Sequence, residues 1–185
     1  MKNKRIAALA ALVLVSAAAS AHPQAGGAHT HGFFDGFVHP FTGLDHLLAM
    51  LAVGIWSARQ SGARWLPATF LGMLLFGVLT GVAGLAIPGL EAGIALTVAL
   101  MGVSIAVAAR LPAAMGAVMV GAFALLHGNA HGHELPEVAS AMGLLAASAL
   151  LVYGGRVLGH VSPALALKVS GAAIAAAGVM LAATV

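Results

Sequence analysis

The stretch FVHPFTGLDHLLAMLAVGIWSA, residues 37–58, decides how the whole chain is read. It is apolar and long enough to cross the hydrocarbon core of a bilayer, which takes about 20 residues at a rise of about 1.5 Å each. Yet it carries His39, Asp45 and His46. Ionisable groups in such a span cost on the order of 3 kcal/mol each to insert, so a chain keeps them for a task. A second run, LLHGNAHGHE at residues 125–134, holds His127, His131, His133 and Glu134. Imidazoles and carboxylates together are the ligand set of a borderline divalent metal. Two such clusters in an apolar chain indicate a membrane protein that handles metal ions.

Composition excludes the soluble alternative. Hydrophobic residues make up 61% of the chain and charged residues 7%, so there is too little polar surface to cover the apolar runs. The mean hydropathy is +1.03. The net charge of +3 comes from Lys2, Lys4 and Arg5, since the remaining basic and acidic residues balance at five each. It therefore argues nothing about nucleic acid. Those three cations precede the apolar stretch 6–15 and the small residues Ala19-Ser20-Ala21, the anatomy of a cleavable secretory signal. The expected organisation is a signal at 1–21, a periplasmic N-terminal segment at 22–36 and a six-helix transmembrane domain at 37–185. Absence of cysteine removes both disulfides and thiolate ligands.

Turn and helix-start residues divide the last region into six apolar blocks, approximately 37–58, 65–87, 91–109, 112–128, 137–159 and 163–183. The expected fold is an all-α integral membrane protein, a compact six-helix bundle. Gly77 and Gly81, like Gly155 and Gly159, have the four-residue spacing that lets helices approach closely. With a cleaved signal the mature N-terminus lies outside the bacterial cytoplasmic (inner) membrane. Arg59, Arg64, Arg110, Arg156 and Lys168 then all fall at cytoplasmic ends, as the positive-inside rule requires, although that rule was not used to assign the blocks. Both histidine clusters open toward the opposite, outer face.

On one helix, Asp35, His39, Thr42, His46 and Met50 form a single stripe, with His46 roughly 10 Å deeper than His39. The expectation is a polar track along which an ion steps, with Asp45 completing the shell or orienting a histidine. In the second cluster His127, His131 and Glu134 share a face if the helix persists. Gly128, Gly132 and Pro136 favour an opened helix there instead.

His39-x5-Asp45-His46 with His127-Gly128-x-Ala130-His131-Gly132-x-Glu134 resembles the HupE/UreJ family of nickel and cobalt permeases, over essentially the whole mature chain. The first motif is similar to the HxxxxDH helix of the larger nickel/cobalt transporter family, with one residue more. Leu126 stands where the family usually has Phe, a packing position. The resemblance implies secondary or facilitated uptake of Ni²⁺ or Co²⁺ from periplasm to cytoplasm for hydrogenase or urease maturation. It carries metal handling onto His39, Asp45, His46, His127, His131 and Glu134, and implies no prosthetic group. The implied partners are the divalent ion and membrane lipid, with room for self-association and no call for nucleic acid or nucleotide.

Two other classes fit the residue types. An intramembrane zinc hydrolase would use Asp45 or Glu134 as general base beside the metal. A b-type haem protein would use histidines on facing helices as axial ligands, though Asp45 beside His46 suits it poorly. His22, His29 and His31 read equally as plain tail or as accessory metal capture. His133, also a candidate for capture, reads first as an exposed loop residue, and His160 as a complement to a helix C-terminus.

Overall fold

The chain's breaks explain its helices. In the computed structural model, which describes residues 32–185 except Ala63, the first apolar block is two helices: α1, Phe33–Thr42, and α2, Leu44–Ser57. They meet at an angle of 84°. Pro40 lacks an amide donor inside α1, and Gly43 is extended at φ −90°, ψ 118°, so the helical ladder stops between them. A side chain at Gly43 would also press on the Asp45 and His46 side chains, at 3.0 and 2.9 Å. The expected single stripe from Asp35 to Met50 is therefore wrong. Asp35 instead accepts a hydrogen bond from the Gly32 amide at the start of α1, and the Thr42 hydroxyl donates to the His39 carbonyl.

Five further helices follow: α3, Leu66–Val82; α4, Leu90–Ala106; α5, Ala113–Glu134; α6, Val138–Val161; and α7, Ala164–Ala182. There is no strand among the described residues. Helices α5, α6 and α7 are long and apolar enough to cross a membrane, and α1 with α2 passes the same test as a broken span. The apolar helices α3 and α4 are shorter, at 17 residues each. Leu79, Val118, Leu150 and Met180 are more than half exposed on the outside of the bundle, an apolar exterior suited to lipid. The signal at 1–21 and the capture candidates His22, His29 and His31 lie outside the described residues.

Glycines set the packing. A Cβ on Gly128 would run into the Leu74 carbonyl oxygen and one on Gly132 into that of Val78, while Gly77 and Gly81 meet the α5 backbone in return. Helices α3 and α5 thus touch main chain to main chain. Gly155 and Gly159 do the same for α6 against Leu51 and Ile55 of α2, and Gly143 of α6 against Phe33 of α1. Helix α2 is the most enclosed, with Met50, Val53 and Trp56 in a core shared with Phe70, Leu74, Val98, Met101, Val120 and Val152.

The packing also corrects the second cluster. Helix α5 runs unbroken to Glu134, because Gly128 and Gly132 serve the contact with α3 and not an opening of the helix. His127, His131 and Glu134 consequently share the face turned away from α3, four and three residues apart.

Candidate metal centre

The bend at Gly43 and the straightness of α5 bring all six candidate residues to one end of the bundle. His39 comes from α1, Asp45 and His46 from the first turn of α2, and His127, His131 and Glu134 from the last two turns of α5. Ring centroids lie 4.3 Å apart for His46 and His131, 4.9 Å for His39 and His131, and 5.2 Å for His46 and His127. His39 and His46 are 6.3 Å apart. The 10 Å step expected from a straight helix is replaced by two rings facing the same small space.

Hydrogen bonds orient the rings. The His127 Nδ1–H donates to the Phe123 carbonyl, 2.8 Å away, which leaves Nε2 as a lone pair in the neutral ring. The His46 Nδ1–H donates to the Asp45 carboxylate at 2.8 Å, so its Nε2 is likewise free. A carboxylate behind an imidazole is the arrangement that fixes ring orientation and strengthens the opposite nitrogen as a ligand. Neither Nε2 has a hydrogen-bond partner, and both are buried. His131 has neither nitrogen hydrogen-bonded and is fully buried. Such groups cost about 1–3 kcal/mol each when nothing answers them, so three unanswered imidazole lone pairs, one each from His46, His127 and His131, call for a Lewis acid or water between them, and the remaining His131 N–H for an acceptor.

A more accessible group lies above. The His39 Nε2–H donates to Glu134 Oε2 at 2.8 Å, and the same oxygen is 3.7 Å from His131 Nδ1. Ligand atoms from His39, His131 and Glu134 all lie within 4.8 Å of one another, a spacing that a small adjustment would close around a divalent ion. The Glu134 side chain is about half exposed at 48%, whereas the His131 ring is sealed, so the cluster grades from an open carboxylate to closed imidazoles. His131 belongs to both levels.

His133 is not part of this cluster. Its Nε2–H donates to the Leu85 carbonyl at 3.1 Å, on the far side of α5. Sequence reasoning passed over Asn129, which is fully buried between the two histidine turns. Its amide donates to the Thr80 hydroxyl and the Leu85 carbonyl, at 3.1 and 3.0 Å, tying α5 to the end of α3. The available signal was an amide flanked by two histidines in an apolar run.

The family model described as HupE / UreJ protein matches residues 10–181. Protein HupE of Rhizobium leguminosarum bv. viciae is 40% identical over 148 residues, covering 79% of this chain and 76% of that protein. No solved structure matches.

Proposed function

Because the chain belongs to the HupE/UreJ family, which comprises metal transporters and not enzymes, we propose that it is a permease carrying Ni²⁺ or Co²⁺ inward across the bacterial inner membrane through the histidine cluster. The supply of a hydrogenase or urease is the corresponding role. The hydrolase and haem readings find no support in these relationships. The observation that carries the proposal is the set of unpartnered buried ring nitrogens of His46, His127 and His131, with Glu134 3.7 Å from His131 Nδ1.

The mechanism follows from the gradation in exposure. Glu134 and His39 meet the hydrated ion at the mouth, where a carboxylate offsets its charge while waters leave. His131 accepts it next, and His46 and His127 take it further in, with Asp45 holding the His46 ring. Nitrogen and oxygen ligands without sulfur suit nickel and cobalt, and the absence of a rigid four-thiolate cage allows release. In this proposal all six apolar blocks cross the membrane, α1 and α2 together as the first. The 17 residues of α3 and of α4 reach about 25 Å, at the short end for a span. The outer placement of the cluster and the inner placement of Arg59, Arg64, Arg110, Arg156 and Lys168 go together. No nucleotide-binding motif is present, and a membrane potential, at about 2.3 kcal/mol per charge per 100 mV, is a sufficient drive for a divalent cation.

Uptake into proteoliposomes, with nickel, cobalt, zinc and copper in competition, tests the function. The expected result is saturable nickel accumulation under an inside-negative potential, suppressed by cobalt. No accumulation of any of the four ions would sink the permease.

A shared ion also predicts energetic coupling. The His46→Ala and His127→Ala substitutions should each weaken metal binding, and the double variant should lose less than the sum, because residues of one site do not act independently. Additive losses in a calorimetric titration of the purified protein would require two separate sites.

A further inference from the structure

The end of the bundle opposite the histidines holds a cavity of about 510 Å³ that metal transport does not account for. Ala58, Gln60, Gly62, Arg64, Arg156 and His160 line it. Its volume lies in the range of about 300–1,000 Å³ usual for small-molecule sites. Arg156 is half-buried, and its guanidinium is held in place by hydrogen bonds from Nη1 to the Ser57 carbonyl and hydroxyl, at 3.2 and 3.3 Å. These bonds fix its position without neutralising it.

No carboxylate is available to do so. The chain's acidic residues are Asp35, Asp45, Glu91, Glu134 and Glu137. Each sits at the start of α1, α2, α4 or α6, or at the end of α5, and so at the histidine end. Among the described residues every ion pair involves a histidine of that cluster, and none involves arginine or lysine. Arg64 and Arg156 thus share a cavity with the His160 imidazole and no counter-charge. Two guanidiniums repel a divalent cation, so this cavity is a poor exit for metal. They suit a phosphate, which a guanidinium fork binds through two parallel hydrogen bonds.

We propose that this cavity binds a phosphate-bearing anion, with the headgroup of an anionic phospholipid in the adjoining leaflet as its source. Basic pockets between transmembrane helices on the cytoplasmic side commonly take such headgroups, and the room here exceeds what a bare phosphate fills.

Native mass spectrometry of the full chain in detergent tests the site, with phosphatidylglycerol or phosphatidylcholine added at equal ratio, with and without inorganic phosphate. Phosphatidylglycerol is expected to be retained preferentially. At about 1 kcal/mol per basic side chain, Arg64→Gln and Arg156→Gln should each reduce that retention about fivefold. Arg110→Gln, outside the cavity, should leave it unchanged. Arg156→Lys keeps the charge without the fork and should give a smaller loss, which covers the case in which Arg156→Gln does not fold. If inorganic phosphate is retained with no preference between lipids, and Arg64→Gln removes it, the anion site stands with free phosphate as its source. Equal retention of both lipids with no response to phosphate would overturn the proposal, as would a phosphatidylglycerol preference unaltered in both Arg64→Gln and Arg156→Lys.

Discussion

His131→Ala is expected to abolish high-affinity nickel uptake while leaving the protein in the membrane. Among the candidate ligands His131 alone meets both levels of the cluster: its ring is 4.3 Å from that of His46 and 4.9 Å from that of His39, and Glu134 is within 3.7 Å. Loss of a residue that merely orients a ligand costs about 10–100-fold in metal affinity, so loss of the shared ligand should exceed about 100-fold. Fold stability should suffer little. Alanine is an excellent helix former, and removing a buried ring with no hydrogen bond to either nitrogen deletes unsatisfied groups along with packing. His133→Ala provides the contrast, because that side chain faces Leu85 on the other side of α5 and should transport nickel like the parent. Nickel accumulation by His131→Ala at parental affinity, with matched expression, would exclude a pathway through this cluster.

The membrane class and the partners in the cluster were legible because both depend on residue type. Apolar runs identify spans, and histidines and acids inside them stand out against their surroundings. Geometry was less legible. The stripe from Asp35 to Met50 assumed an intact helix, although Pro40 and Gly43 lay within it and each is a known cause of a break. Gly128 and Gly132 suggest an opened helix when the sequence is taken alone. Glycine relaxes the backbone and also permits close approach, and only the neighbouring helix decides between these effects. Here Leu74 and Val78 lie against the two glycines, and α5 stays straight. The two errors concerned local backbone at the site, yet His39, Asp45 and His46 still reach His127, His131 and Glu134. The bend at Gly43 brings His39 back over the second turn of ligands more directly than a straight track would have done. The basic cavity at the other end had no one-dimensional signature, since Arg64 is far in sequence from Arg156 and His160 and meets them only where α2 and α6 end.

Gly128→Leu is expected to remove the folded protein from the membrane, for a reason separate from metal chemistry. Gly128 packs against the main chain of α3, where an added Cβ would collide with the Leu74 carbonyl oxygen and stand only 2.9 Å from the Val78 nitrogen. Overpacking a core usually costs about 1–3 kcal/mol because flexible side chains give way. At this point the obstacle is backbone that is itself helical, so α3 and α5 must separate and the cost should reach or pass the upper end of that range. Against a total stability of about 5–15 kcal/mol for a folded domain, such a loss is large enough to expose the chain to proteolysis. Gly128→Ala is the more informative companion. It should lower the melting temperature in detergent and also reduce uptake in the molecules that remain folded, because Gly128 adjoins His127 on the helix that also carries His131 and Glu134, and a displacement of α5 by a fraction of an ångström spreads the ligand atoms of the cluster. Gly72→Ala and Gly154→Ala are the controls, since a Cβ at either position meets nothing within 4 Å. Both should match the parent in membrane abundance and melting temperature. If Gly128→Leu also matched it in both measurements, the direct contact between α3 and α5 would be refuted, and with it the account of why α5 remains helical to Glu134.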